Sequence, residues 1–193
     1  MISVVGYGSL LSEKSARETV PNLHNFRLVT VHGYKRIFNK VGIVFLSRHG
    51  ASPDALDIAS CSTLPDKSVS IICSQFECSE EEYRALIERE HRFAWVSVET
   101  CELESTELSS GLMCTTASDE WYKTQKCISS SDYESRVGRY YQGAIWRNDI
   151  FPYPRYLQFC LRSAAEQGPS VLDNFLDSSF LADGQTSLRD YLQ

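Results

Sequence analysis

The distribution of strand-like and helix-like segments limits this chain most. Strand chemistry crowds into the first half and helix chemistry into the end. Residues 2–5, 26–38, 41–47, 68–76 and 93–103 are apolar, alternating or β-branched and read as strands. Gly33 falls inside the second of these and marks a bend or bulge. Residues 154–167, closed by Gly168, then 169–176 and 187–192, the last capped by Thr186, read as helices. Two helices interrupt the strand-rich part. Residues 12–19 have Ser12 as N-cap and Pro21 behind them, and residues 80–91 have a Ser79/Glu82 capping box. Residues 48–57 and 129–133 read as loops, and the polar stretch 105–126 as a strand with flanking loops. Residues 136–141 fit neither pattern. Strands first and helices later predict an α+β domain. At 193 residues, 42% of them apolar, the chain is expected to form a single domain spanning residues 1–193.

Composition excludes several function classes. The net charge of −6 and the lack of a Lys/Arg cluster along the sequence argue against nucleic-acid binding. No apolar run is long enough to span a membrane, and no basic-then-apolar leader opens the chain. Seven cysteines, an odd number with no C-x-x-C pair, predict reduced thiols in a cytoplasmic protein. The four histidines are scattered and no H-x-x-x-H pair occurs, so no metal site is expected.

The first strand runs directly into Gly6-Tyr7-Gly8-Ser9. A dinucleotide fingerprint would need glycine at position 11, which is leucine. A phosphate loop would need Gly-Lys-Ser/Thr downstream, and a nucleophile elbow would need a glycine two places after its serine. Neither is present. Two readings remain open: an ordinary tight turn, or a loop that meets a ligand with its backbone.

The 80–91 helix carries a second unusual feature. Tyr83, Leu86 and Ile87 define its apolar stripe, and the next position on that stripe is Glu90. Burial and the negative end of the helix dipole both disfavour a charged carboxylate there. Such a group suits a general base. It would equally suit an ion pair with Arg92 or another arginine, or a frayed helix end in water.

Together these segments resemble the gamma-glutamyl cyclotransferase superfamily, which includes gamma-glutamyl-amino-acid cyclotransferases, ChaC-type glutathione-specific enzymes and AIG2-like proteins. The family's loop is matched by Tyr7-Gly8-Ser9-Leu10, and a following Gly-aromatic-x-Arg segment by Gly33-Tyr34-Lys35-Arg36-Ile37-Phe38. The helix-ending glutamate is matched by Arg89-Glu90, and a late Pro/Tyr helix by PRYLQFCLRSAAEQG, with Tyr156. The chain departs from the usual pattern at Leu11-Ser12 and at His91-Arg92-Phe93.

The resemblance implies a small mixed β-barrel flanked by helices. It also implies a cofactor-independent enzyme that converts a small-molecule gamma-glutamyl substrate to 5-oxoproline and a free amine. Glu90 would then be the general acid/base. Backbone N–H groups of Gly8, Ser9 and Leu10 would hold the substrate carboxylate. Tyr7 and Tyr34 would form the wall, and the Tyr156 hydroxyl or a loop N–H would meet the carbonyl oxygen. A non-catalytic ligand-binding or regulatory protein of the same fold is the alternative. A serine or cysteine hydrolase has no nucleophile motif here to support it.

Overall fold

The computed structural model describes residues 1–193. Five strands close into a mixed barrel: β1 (Ile2–Gly6), β2 (His24–Val41), β3 (Ala59–Cys78), β4 (Ala94–Glu102) and β5 (Leu108–Thr115). Around the barrel the order is β3-β1-β5-β4-β2, and β2 pairs back onto β3 to close it. The β1–β5 pair is parallel and the other four are antiparallel. The contact that finishes the ring is narrow, with Val29 opposite Glu102 and Thr30 opposite Cys101. Where β4 leaves β2, the short β6 (Ser179–Leu181) takes its place in parallel beside Arg36–Phe38.

Side chains two apart on a strand share a face. Val29 and Val31, Ile71 and Cys73, Val5, Val98 and Met113 therefore fill one contiguous core. Gly33 has φ +78°, and the β2–β3 register slips there, between His32 and Tyr34. This is the expected bulge. All seven cysteines are free thiols, and no helix is long and apolar enough to cross a membrane.

Helices surround the barrel: α1 (Glu13–Arg17), α2 (Ile43–His49), α3 (Glu80–Arg89), α4 (Asp119–Trp121), α5 (Ser130–Tyr133), α6 (Pro154–Glu166), α7 (Pro169–Asp177) and α8 (Leu188–Tyr191). Ser12 caps α1, accepting from the Ser15 N–H. The α3 capping box is complete. Glu82 N–H donates to Ser79 Oγ at 3.2 Å, and Ser79 N–H donates to Glu82 Oε2 at 3.1 Å. Ser79→Ala should therefore cost about 1 kcal/mol, read as a fall of a few degrees in melting temperature; no shift would mean the box is dispensable.

Four sequence expectations need correction. Residues 41–47 are not a strand: β2 stops at Val41, and α2 follows. The apolar run 43–46 is β-branched enough to mimic a strand. However, Gly50, left-handed at φ +72°, ends a helix whose Ile43 and Phe45 enter the core. Residues 129–133 are not wholly loop, because Ser129 caps the short α5. The cap of α8 is Ser187, which accepts from the Asp190 N–H. Thr186 instead donates its hydroxyl to Asp183. Finally, the polar stretch 105–126 holds the expected strand, β5, but its second flank is α4 and a wide turn at Tyr122–Lys126 rather than loop. The solvent-facing start of β5 (Leu108 to Ser110) hides the alternation, and Gly111 is needed because a Cβ there would lie 2.7 Å from Val5 Cγ2. Residues 134–138, left partly unassigned by pattern, form a wide i→i+5 turn.

Candidate active site

The β1 loop, the end of α3 and the start of α6 meet at a cavity of about 1040 Å³. The loop is tight for reasons internal to the protein. A Cβ on Gly6 would stand 2.5 Å from Leu10 Cβ and 2.7 Å from Ser74 Oγ. A Cβ on Gly8 would stand 2.9 Å from the Tyr156 hydroxyl oxygen. Glycine at position 8 thus lets the α6 tyrosine press its hydroxyl against the loop backbone. Residues Ser9–Leu11 then make one helical turn, closed by the Leu11 N–H donating to the Gly8 carbonyl at 3.0 Å. The leading N–H groups of such a turn have no partner within it.

The loop is fixed from behind by Arg36. This side chain is fully buried in β2. Its Nε donates to the Tyr7 carbonyl at 2.8 Å, and its Nη1 donates to Ser178 Oγ at 2.8 Å and to Asn174 Oδ1 at 3.4 Å. Nη2 donates to the Ile72 carbonyl. The guanidinium lies 4.7 Å from the Phe175 ring centre. Burial lowers its pKa from the ordinary arginine value, yet every terminal nitrogen has an acceptor, as a buried cation requires. The sequence carried this arginine inside a motif but gave no hint of the role.

Arg89 joins the loop to the candidate base. Its Nη2 donates to Ser9 Oγ at 3.1 Å and its Nη1 to Thr19 Oγ1 at 2.9 Å, while Nε pairs with Glu90 Oε1 at 3.1 Å. Glu90 is the C-cap of α3, its N–H still donating to the Leu86 carbonyl at 2.9 Å. Its side chain is 18% exposed and lines the cavity. Of the expected apolar stripe only Leu86 is fully buried; Tyr83 and Ile87 are half-buried. The arginine partner weighed for Glu90 is Arg89, not Arg92.

Tyr7, Gly8, Ser9, Leu10, Glu90 and Tyr156 all line the cavity. Tyr7 and Tyr156 are buried deeply enough that desolvation pushes both phenols well above the ordinary value, with the Glu90 charge adding to it. Both hydroxyls therefore stay protonated and can donate. Leu10 turns its side chain into a small second core with Val4, Phe76 and Leu86, so only its backbone can face a ligand. Tyr34 is the exception. It lies beside the Gly33 bulge opposite Pro65, packs against the main core and is not among the cavity residues.

The sequence reading missed the cations. Lys40, Arg48, Arg89, Arg92 and Arg136 come from separate parts of the chain and converge on this cavity, so the absence of a linear cluster was misleading. Lys40 is only 5% exposed, and burial, helped by Arg92, lowers its pKa to about 7. One signal was available: Lys40 sits two residues after Phe38, on an apolar strand, where a charge is out of place.

No family model and no curated protein matches the sequence. Solved structures do match the fold. A gamma-glutamyl cyclotransferase is 11% identical over 90% of this chain and 83% of its own, with a TM-score of 0.59. An uncharacterized protein from Homo sapiens is 11% identical over the same shares, with a TM-score of 0.60. A gamma glutamyl cyclotransferase specific to glutathione, from yeast, is 12% identical over 90% of this chain and 94% of its own, with a TM-score of 0.50. With its closed mixed barrel and flanking helices, the chain has the fold of the gamma-glutamyl cyclotransferase superfamily.

Proposed function

We propose that this protein is a cofactor-independent gamma-glutamyl cyclotransferase. The observation that carries the reading is Arg89, which ties Ser9 of the glycine loop to Glu90 across one cavity. In the reaction the α-ammonium of a gamma-glutamyl compound gives a proton to Glu90. The freed amine attacks its own gamma-carbonyl carbon and forms the C–N bond of a five-membered lactam. The bond to the original amine then breaks: that nitrogen takes the first proton back from Glu90, and the new lactam nitrogen sheds its second proton, through Glu90, to the departing amine, which leaves as an ammonium. The products are 5-oxoproline and a free amine. Nucleophile and electrophile belong to one molecule, so holding the bent conformer supplies much of the rate.

The residues divide this work. The loop N–H groups at Gly8, Ser9 and Leu10 hold the glutamyl carboxylate. The Tyr156 hydroxyl, kept protonated by burial and set against Gly8, donates to the carbonyl oxygen as it gains charge. Tyr7 walls the site. Tyr34 lies outside the cavity lining and takes no part in this reading.

The test is direct. Purified protein incubated with glutathione, gamma-glutamyl-alanine and gamma-glutamyl-ε-lysine should release 5-oxoproline from at least one. Folded protein that yields none would favour the second reading, a ligand-binding protein of the same fold, which the Arg89–Glu90 ion pair also suits. That reading expects a gamma-glutamyl compound to raise the melting temperature without product forming.

A further inference from the structure

Two cations face the cavity with no anion to match them. Lys40 is 5% exposed, and its Nζ sits 4.6 Å from the Phe93 ring centre, with no hydrogen bond and no ion pair to any protein group. Arg92 donates from Nη2 to the Arg136 carbonyl at 3.2 Å, but its Nε is buried without an acceptor. The nearby carboxylates are already engaged, Glu90 by Arg89 and Glu88 by Arg136 at 2.6 Å. A buried charge without a counter-ion is costly, so a cavity that holds the buried Lys40 beside the half-buried Arg92 is set to receive an anion.

We propose that Lys40 and Arg92 form a subsite for a carboxylate on the released half of the substrate. The inference rests on the cyclotransferase reading and narrows its substrate to gamma-glutamyl amino acids or peptides, in preference to gamma-glutamyl monoamines. Glu90 gives the placement. It lines the same cavity as Tyr7 and Tyr156 at the loop and as Lys40 and Arg92. A base working at the scissile bond has the glutamyl group on one side and the leaving amine on the other. The loop takes the first, and the cation pair is left for the second. Carboxylate recognition by a paired lysine and arginine is charge-assisted hydrogen bonding, shielded from water here by Phe93.

Burial first and Arg92 second disfavour the Lys40 charge, and Glu90 favours it, while burial keeps the neighbouring Cys114 a neutral thiol. An arriving carboxylate joins the favouring side. Binding near pH 8 should therefore draw a proton onto Lys40.

Glutaryl-glycine and glutaryl-methylamide lack the α-amine and cannot cyclise, so calorimetry reads their affinity without turnover. They differ in the released-half carboxylate. The glycine compound should bind at least tenfold tighter, with proton uptake seen by comparing buffers of different ionisation heat. Lys40→Met should erase both the preference and the uptake while leaving methylamide affinity unchanged, and Lys40→Arg should restore the preference. Lys40→Met also removes a buried charge and keeps the stem over Phe93. Its melting temperature should exceed the parent's at pH 6. The advantage should shrink from pH 7 towards pH 10, because over that span the unfolded lysine holds a proton that the folded one has lost. Equal affinities for the two compounds, with 5-oxoproline still formed from gamma-glutamyl-glycine, would overturn the subsite and leave the cyclotransferase reading standing. Carboxylate preference without product would overturn that reading and keep the subsite. Binding of neither compound would remove the subsite.

Discussion

Glu90→Gln should abolish 5-oxoproline release, by about a thousandfold or more, with the protein still folded. General acid–base catalysis contributes roughly 10²–10⁴-fold, and glutamine keeps the shape while losing the proton acceptor. The fold should tolerate the change. Glu90 is a helix C-cap whose backbone bond to Leu86 is untouched, and its ion pair with Arg89 is partly solvated, worth under about 1 kcal/mol. Turnover of gamma-glutamyl substrates and circular dichroism on the same sample separate the two effects. Undiminished turnover in Glu90→Gln would place the base elsewhere, and Lys40, lowered to about 7 in the same cavity, would be next to test.

Arg36→Ala should be among the most damaging single changes to stability, costing about 3–5 kcal/mol in urea unfolding. The substitution leaves the Tyr7 and Ile72 carbonyls without their donor, removes a partner of Ser178 and opens a void against Phe175. Arg36→Lys should recover little, since one ammonium group cannot reach acceptors spread around a planar guanidinium. A loss below about 1 kcal/mol for Arg36→Ala would show that water satisfies those carbonyls instead. The Tyr7 carbonyl opens the glycine loop, so this arginine sets both stability and the position of the loop.

Much of this was legible along the chain because it is local. The α3 capping box needs only Ser79 and Glu82, three residues apart. The Gly33 bulge follows from a glycine inside an alternating strand. The loop and Glu90 stood out because each breaks a local rule, glycines where a turn needs fewer and a carboxylate on an apolar stripe. Errors came where local signals conflict. The β-branched run after Gly42 looks like a strand, and the Gly50 stop signal that makes it helix lies at its far end. The bounds of β5 were blurred because its start faces water and a glycine replaces a side chain next to Val5.

The sequence by itself determined the α+β character, the helix caps, and the two unusual local features that meet at the cavity. Only the tertiary structure decided what those features touch. Barrel closure brings Arg36, Ile72, Ser178 and the Tyr7 carbonyl together from four segments, and the same closure brings Lys40 to the cavity that Glu90 and Arg92 line. Tyr34 lies outside the cavity lining while Lys40, six residues further along the same strand, reaches it. The physical reason is range. Caps, turns and periodicity are set by residues a few places apart, whereas charge pairing and cavity lining depend on strand register, which no short stretch of sequence records.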